Sequence, residues 1–170
     1  MKKLFLVVLS MFLLAGLANA QRYAIVDSKY ILDKMPEYKD AQKRLDQISE
    51  QWQKEIEAKQ AELDKMYKDF EAEQVMLSDV LKKKRQDEIF VKEKETRELQ
   101  RKRFGFEGDL FKKRQELVKP VQDKVYNAIQ KIAVAKQYDF ILDKSEGITV
   151  IFADPKLDKS EDVLRELGIK

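Results

Sequence analysis

The chain lacks the side chains on which most enzymes and metal sites depend. It contains no histidine and no cysteine, so the commonest general base, the commonest metal ligand and the thiolate nucleophile are missing. This composition excludes Ser-His-Asp and Cys-His catalysis and every zinc site built from histidine or cysteine. Aspartates and glutamates number 31, but the sequence marks no two of them as an acid–base pair.

The sequence also lacks a motif for binding phosphate or nucleic acid. The stretch FGFEGD at 104–109 contains glycines, but it has neither the lysine nor the preceding strand of a phosphate-binding loop. The formal net charge is +3, of which residues 1–20 contribute two lysines and no acidic residue. Residues 21–170 are therefore nearly neutral, unlike a dedicated nucleic-acid-binding protein. We therefore expect a protein that is not an enzyme, needs no cofactor and binds no nucleic acid.

Two groups of residues are candidates for contact or motion. A basic run could contact membrane phosphates or acidic segments of a bound protein, or it could be a solvated helix face; it consists of Lys82, Lys83, Lys84 and Arg85. Gly105 and Gly108 interrupt a stretch predicted to be helical, each at a cost of about 1 kcal/mol relative to alanine. With Trp52 they form a candidate hinge; alternatively, the glycines make room for Trp52 and Phe104.

Residues 1–20 have the pattern of a cleavable secretory signal. Lys2 and Lys3 precede an apolar run, and Ala18-Asn19-Ala20 supplies the small residues of a cleavage site. A membrane anchor is the alternative, but the run is shorter than the roughly 20 residues that span a bilayer. We expect an exported mature chain that begins at Gln21.

Charged residues make up 38% of the chain, well above the usual value of about 25%, which favours an elongated, helix-rich protein. The segment 37–77 has apolar residues at alternating spacings of three and four, the seam of a coiled coil: Tyr38, Ala41, Leu45, Ile48 and Trp52. After a stutter at Ile56, Leu63, Phe70 and Leu77 continue at sevens. About 40 helical residues would make an arm of roughly 60 Å.

Ser78 and Asp79 suit the start of a second helix, so the tip of an antiparallel helical hairpin is predicted near 77–79. The segment 37–77 carries a net charge of −4 and the segment 78–118 a net charge of +4. Folding back brings apolar residues together in pairs: Met66 with Ile89, Ile56 with Leu99, Leu45 with Leu110, and Tyr38 with Leu117. It also places Trp52 against Arg103 and Phe104. One long unbroken helix is the alternative.

The flanking residues, 21–36 and 119–170, are predicted to form a discontinuous α/β body. RYAIVD at 22–27, YDFILD at 138–143 and ITVIFA at 148–153 are β-rich, the last two as a hairpin. A three-stranded sheet this small is marginal alone and leaves open edges, so we expect a homo-oligomer. The candidate contacts are Ile25, Val26, Phe140, Ile141, Leu142, Val150, Ile151 and Phe152. The fold class is mainly α: a long coiled-coil hairpin arm on a three-stranded β/α oligomerisation body.

The order of these pieces resembles the Skp/OmpH family of periplasmic chaperones. The resemblance covers nearly all of 21–170 and is carried by AIVDSKYILDKMPEY at 24–38, PVQDKVYNAI at 120–129 and YDFILDKSEGITVIFADPKLDKSEDVL at 138–164. It implies a homotrimer in the periplasm of a Gram-negative bacterium, whose three arms enclose a cavity that holds unfolded outer-membrane proteins without ATP. The better-known members are strongly basic, so this nearly neutral chain should contact membrane or lipopolysaccharide only weakly. The alternative function is a structural coiled-coil spacer or scaffold of the cell envelope.

Overall fold

The computed structural model describes residues 22–145, 147 and 149–169, so the predicted signal peptide lies outside the described residues. Within that range the chain forms two compact units. We call residues 35–123 the hairpin unit. The other unit, which we call the α/β unit, combines 22–34 with 124–169.

The hairpin unit contains two long helices that run back along each other. Helix α2, Pro36–Glu73, begins with a proline at a first-turn position where no backbone N–H donor is needed. Helix α3, Asp79–Phe104, follows a short turn, and helix α4, Asp109–Leu117, follows a second break. Helix α2 packs against both α3 and α4, so this part of the chain is a hairpin and not one unbroken helix.

The returning arm consists of two helices. The sequence predicts a helical arm over 78–118 that Gly105 and Gly108 interrupt, and the structure ends one helix and begins the next across residues 105–108. Gly105 caps the end of α3, and Gly108 occupies the N-cap position of α4. The two glycines therefore bracket a true interruption of the helix.

The α/β unit contains helix α1, Ser28–Lys34, most of helix α5, Lys119–Lys136, and helix α6, Ser160–Glu166. Strand β1, Tyr23–Val26, pairs in parallel with strand β2, Phe140–Asp143. Parallel pairing is possible because more than a hundred residues of chain connect the two strands, whereas a tight turn can join only antiparallel strands. On the other side of β1, Ile25 forms an isolated bridge with Asp158.

The prediction of three strands with a hairpin at 138–153 is wrong. The sheet of the described residues has two strands, and 149–153 is irregular, with Ile151 96% and Phe152 84% exposed. A high content of β-forming residues shows that a segment suits a pleated, partly buried surface. It does not determine which strand the segment pairs with. Here β1, distant in sequence, takes the place beside β2, and 149–153 is left without a ladder.

The core of the α/β unit is formed by β1 and by helices α1, α5 and α6, whereas the residues of β2 are partly buried or exposed. Helix α1 packs against α6, and α5 contributes an apolar stripe at helical spacing. Among the described residues the buried apolar side chains of this unit are Ala24, Ile25, Val26, Ile31, Leu32, Val125, Ala128, Ile132, Val163 and Leu164.

Candidate functional site

The tip of the hairpin exposes apolar and basic side chains together. Ser78 occupies the N-cap position of α3 in an extended conformation, although its hydroxyl makes no capping hydrogen bond. The tip also leaves four apolar residues exposed, Val75, Met76 and Val80 almost fully and Leu81 by about half. An apolar surface of this kind next to cations suits a partner that is both apolar and negatively charged.

The structure divides the basic run at 82–85 into paired and unpaired residues. The Lys82 ammonium lies 3.8 Å from the Asp79 carboxylate, and the Arg85 guanidinium lies 3.4 Å from Glu88 and 3.9 Å from Glu73. Lys83 and Lys84 form no ion pair within the described part of the chain. These two lysines are therefore the cations of the run that remain available to a partner.

Lys83 and Lys84 border an open groove of about 700 Å³ between α2 and α3. Its apolar lining comes from Met66, Val80 and Val91. Acidic residues also line it, namely Glu62, Asp87, Glu88 and Glu95. The lining is thus apolar in part and carries charges of both signs, which does not favour a purely anionic ligand.

Ion pairs join the two arms of the hairpin. Lys92 lies 2.9 Å from Glu62, and this hydrogen bond lowers the pKa of the Glu62 carboxyl and raises the pKa of the Lys92 ammonium. The basic triplets 101–103 and 112–114 lie on the arm that the sequence shows to be net positive, opposite the acidic arm. Of Arg103 and Lys113, one pairs across the arms. Arg103 does so through Glu55, at 3.2 Å, whereas Lys113 pairs with Glu116 on its own helix.

The predicted proximity of Trp52 and Arg103 is confirmed. The Arg103 guanidinium lies over the Trp52 ring, 4.7 Å from its centroid, and it also bonds Asp109 at the start of α4, at 2.8 Å. Such stacking of a guanidinium on an indole is a cation–π interaction. One arginine therefore contacts the opposite arm and both sides of the break at 105–108.

The break itself is a tight turn. The Gly108 N–H donates to the Gly105 carbonyl at 2.9 Å, and between them Glu107 adopts a left-handed φ of 53°, a conformation that non-glycine residues seldom take. Phe106, at its apex, is 98% exposed.

The alternative explanation for the glycines, that they make room for Trp52 and Phe104, does not describe their closest contacts. A Cβ at Gly105 would lie 2.3 Å from the Arg101 carbonyl oxygen, and one at Gly108 would lie 2.8 Å from the Lys102 carbonyl oxygen. Both distances are shorter than real Cβ contacts. The glycines are needed because the turn folds tightly onto the last turn of α3.

The candidate oligomerisation residues fall into three groups. Ile25 and Val26 are buried in the α/β unit itself, so their side chains are not available to another chain. Phe140 is 43% exposed and stacks on Tyr23, with ring centroids 5.6 Å apart. Three further candidates are partly buried, namely Ile141, Leu142 and Val150. The last two, Ile151 and Phe152, are largely exposed.

A polar cluster at the ends of β1 and β2 was not predicted from the sequence. One carboxylate oxygen of Asp143 accepts hydrogen bonds from the backbone N–H groups of Ser28 and Ser145, at 3.1 and 3.0 Å. The hydroxyls of the two serines lie 2.9 Å apart. The signal in the sequence is an aspartate at or directly after the end of each strand, Asp143 in β2 and Asp27 after β1, with a serine one or two residues later.

Two carboxyls of this region, Asp143 and Asp158, have lowered pKa values. Burial acts to raise the pKa of Asp143, but the hydrogen bonds from Ser28 and Ser145 outweigh it and the pKa is lowered. Burial likewise opposes the lowering at Asp158, where hydrogen bonds from Lys144 and Ser160 prevail. These bonds tie the loops that follow β1 and β2 to the start of α6, which is a structural role.

Within residues 22–145, 147 and 149–169, no group of three or more acidic side chains is arranged to hold a metal ion. No helix of the described chain is both long and apolar enough to cross a membrane.

The arrangement defines a class of protein: a long helical hairpin combined with a small α/β unit. The chain matches the family of OmpH-like outer membrane proteins over residues 22–167. It is also 32% identical to an uncharacterised protein of Aquifex aeolicus (strain VF5) over 167 residues, which is 98% of this chain and 96% of that protein. The chain belongs to the OmpH-like family.

A solved structure shares the fold. It is the crystal structure of an OmpH-like protein from Caulobacter crescentus CB15 described as a candidate outer membrane chaperone. The TM-score is 0.69, with 18% sequence identity over 87% of this chain and 84% of that one.

Proposed function

We propose that the chain is a periplasmic holdase of a Gram-negative bacterium that binds unfolded outer-membrane proteins and prevents their aggregation without ATP. The family and the description of the Caulobacter crescentus protein support a chaperone role. The observation that carries the proposal is that the hairpin unit leaves large apolar side chains exposed among charged ones. They are Tyr67, Val75, Met76, Val80, Leu81, Phe90, Val91, Phe106 and Phe111.

This surface suits unfolded chains of many sequences. Each exposed apolar residue offers a small contact area, and methionine adapts to varied partners. Many weak contacts hold a chain whose apolar segments are not yet buried, and binding the unfolded state competes with its aggregation. No step in this cycle requires nucleotide, a cofactor or an enzymatic reaction.

The functional form we propose is a homotrimer in which three arms enclose the cavity for the client. The α/β unit supports association because, among the described residues, one edge of β2 has no partner strand. Apolar side chains also remain exposed there, namely Tyr23, Phe140, Ile151 and Phe152. Association would cover these residues and add stability to a small unit.

The decisive test is suppression of aggregation. A urea-unfolded outer-membrane barrel protein is diluted into buffer with the purified mature chain, and light scattering and the mass of the complex are measured. We expect suppression at a stoichiometric ratio of trimer to client. Undiminished scattering at that ratio would contradict the proposal.

A matched pair of substitutions tests the surface. Val80 at the tip is 80% exposed and Val134 in the α/β unit is 79% exposed. We expect Val80→Ser to weaken client binding and Val134→Ser to leave it unchanged. Equal effects from both changes would show that the tip has no special part in binding.

An envelope scaffold is the second candidate, favoured by the length of helix α2, 38 residues. A scaffold should bind one folded partner and ignore unfolded barrel proteins, whereas a holdase should do the opposite. Binding measured with folded and urea-unfolded forms of the same barrel protein separates the two.

Weak contact with an anionic membrane or lipopolysaccharide is proposed for Lys83 and Lys84, because they have no ion pair in the described structure. Flotation with vesicles containing anionic lipid should detect binding that the double change to glutamine removes. The same change at Lys113 and Lys119 is the control, since these lysines already pair with Glu116 and Asp123.

A further inference from the structure

The break in the returning arm is held by a single side chain. The Arg103 guanidinium stacks on Trp52 and bonds Glu55, both on α2, and it bonds Asp109 at the start of α4. Arg103 itself lies in the last turn of α3. No other side chain in the described part of the chain joins α2, α3 and α4 through ion pairs or ring contacts.

We propose that Arg103 is a latch: it fixes the joint between α3 and α4 against α2, and its release lets the joint change angle when a client is bound. The role of this motion in client binding rests on the proposed function. The existence of the latch itself does not. Two glycines alone would make the joint freely flexible. With Arg103 in place we expect the joint to hold one closed conformation that opens when the Arg103 contacts are released.

The chemistry of arginine suits this role. A guanidinium is flat, so one face can stack on an indole while its edges bond two carboxylates in different directions. Lysine carries the same charge but has neither the flat face nor the fork. A latch made in this way should depend on arginine and not merely on a positive charge.

The closed joint also contains features that oppose it. The Arg103 Nε is buried without a hydrogen-bond partner in the described structure, and a buried donor without an acceptor costs free energy. The left-handed Glu107 adds backbone strain. The stacking and the two ion pairs stabilise the closed state against these costs, so a modest gain elsewhere could tip the balance towards opening.

Trp52 is the only tryptophan in the chain, so it reports on the latch directly. With 5-fluorotryptophan incorporated, the 19F spectrum of the full mature oligomer contains signals from this position alone. We expect one dominant resonance for the free protein. Arg103→Met should move intensity to a second resonance and increase quenching of Trp52 fluorescence by acrylamide, because the ring loses its stacking partner.

The matched control is Arg101→Met. Arg101 lies on the same turn of α3, is exposed and has no ion pair among the described residues. It should leave both signals unchanged. Arg103→Lys, which keeps the charge, should behave like Arg103→Met and not like the unsubstituted protein; this variant also serves if Arg103→Met does not fold.

Spin labels measure the joint itself. The chain has no cysteine, so labels can be placed at Lys94 and Lys112, on either side of the break, and as a control at Gln86 and Gln100, both on α3. Labelled chains are mixed with an excess of unlabelled chains so that only distances within one chain are seen. Arg103→Met should broaden the 94–112 distance distribution and leave the 86–100 distribution unchanged.

The client is then added to the unsubstituted protein in the unfolded form used for the aggregation assay. We expect the second 19F resonance to appear and the 94–112 distribution to broaden or shift. If aggregation is suppressed while neither signal changes, the gating role is wrong and the proposed function stands. If Arg103→Met has no more effect than Arg101→Met on either signal of the free protein, there is no latch.

Discussion

The hairpin unit and the α/β unit are stabilised in different ways. Among the described residues, ten apolar side chains are buried in the α/β unit and seven in the hairpin unit, although the hairpin unit is the longer of the two. The α/β unit also has the hydrogen-bonded cluster around Asp143. The hairpin relies on a thin seam of apolar contacts and on exposed ion pairs between its arms.

The two units should therefore differ in how well they tolerate substitutions. A substitution in a well-packed core is costly because its neighbours cannot close the space. A two-helix seam has solvent on both sides, so its neighbours can move and most of its surface can change without loss of the fold. The unit that we propose to contact clients is therefore the one whose surface is least constrained by packing.

The largest expected effect tests this comparison with one substitution made in both units. Ile31 and Ile56 are 0% and 2% exposed. We expect Ile31→Ala to lower the free energy of unfolding of the α/β unit by about 3–4 kcal/mol, and Ile56→Ala to lower that of the hairpin unit by about 2 kcal/mol. Hydrogen exchange of peptides from each unit measures the two effects separately.

Ile151→Ala is the control for this pair, because Ile151 is 96% exposed and should change stability by less than about 0.5 kcal/mol. Equal costs at Ile31 and Ile56 would mean that the seam is packed as rigidly as the core. The distinction drawn between the two units would then be wrong.

The next effect concerns the cluster around Asp143. Asp143→Ala leaves the backbone N–H groups of Ser28 and Ser145 without their acceptor, and we expect a loss of about 2 kcal/mol in the α/β unit. Asp33→Ala, in the same unit, removes only an exposed pair with Lys29 and should cost less than about 0.5 kcal/mol. Hydrogen exchange of peptides covering 23–32 and 140–145 measures both. Equal losses would show that the cluster does not contribute specifically.

Acid should act on the same cluster. The pKa values of Asp143 and Asp158 are lowered in the folded protein from an ordinary value of 3.8. Their contribution to stability is therefore complete above pH 3.8 and is lost as the pH falls through the lowered folded values. Asp143→Asn removes one titrating group, so the stability of the α/β unit should depend less steeply on pH below about 4. An unchanged slope in an acid titration followed by hydrogen exchange would contradict this assignment.

The hairpin was largely predictable from the sequence, and the sheet was not. Apolar spacing, charge balance and Ser78 are all local signals, and they placed the turn and brought Trp52 against Arg103. The pairing of β1 with β2 joins Tyr23 to Phe140 across most of the chain. No local pattern specifies a contact at that separation, so the prediction paired β2 with its neighbour in sequence.

The candidate site shows the same limit. The sequence marked Gly105, Gly108 and Trp52 as irregular, because two glycines and a stutter stand out in a regular arm. It did not mark Arg103 as the residue that joins them, because Arg103 lies in a basic triplet with Arg101 and Lys102. Only the direction of each side chain distinguishes the three.

The smallest expected effect tests whether charge pairing sets the register of the arms. Lys92→Glu places a carboxylate opposite Glu62 in place of the ion pair seen at 2.9 Å. We expect a lower melting temperature of the hairpin unit, followed by Trp52 fluorescence. The change should be smaller than for Ile56→Ala or Asp143→Ala because the Glu62 side chain is about half exposed and water screens the pair. Adding Glu62→Lys restores the pair with its signs reversed and should recover most of the loss.

Salt distinguishes pairing from packing in this cycle. At about 1 M salt the screening length is only about 3 Å, so the difference between Lys92→Glu and the unsubstituted chain should shrink. A loss that persists at high salt and is not recovered by the double change would assign the effect to contacts of the Lys92 methylenes. The register of the hairpin would then rest on its apolar seam alone, and the opposite net charges of its arms would serve solubility instead of pairing.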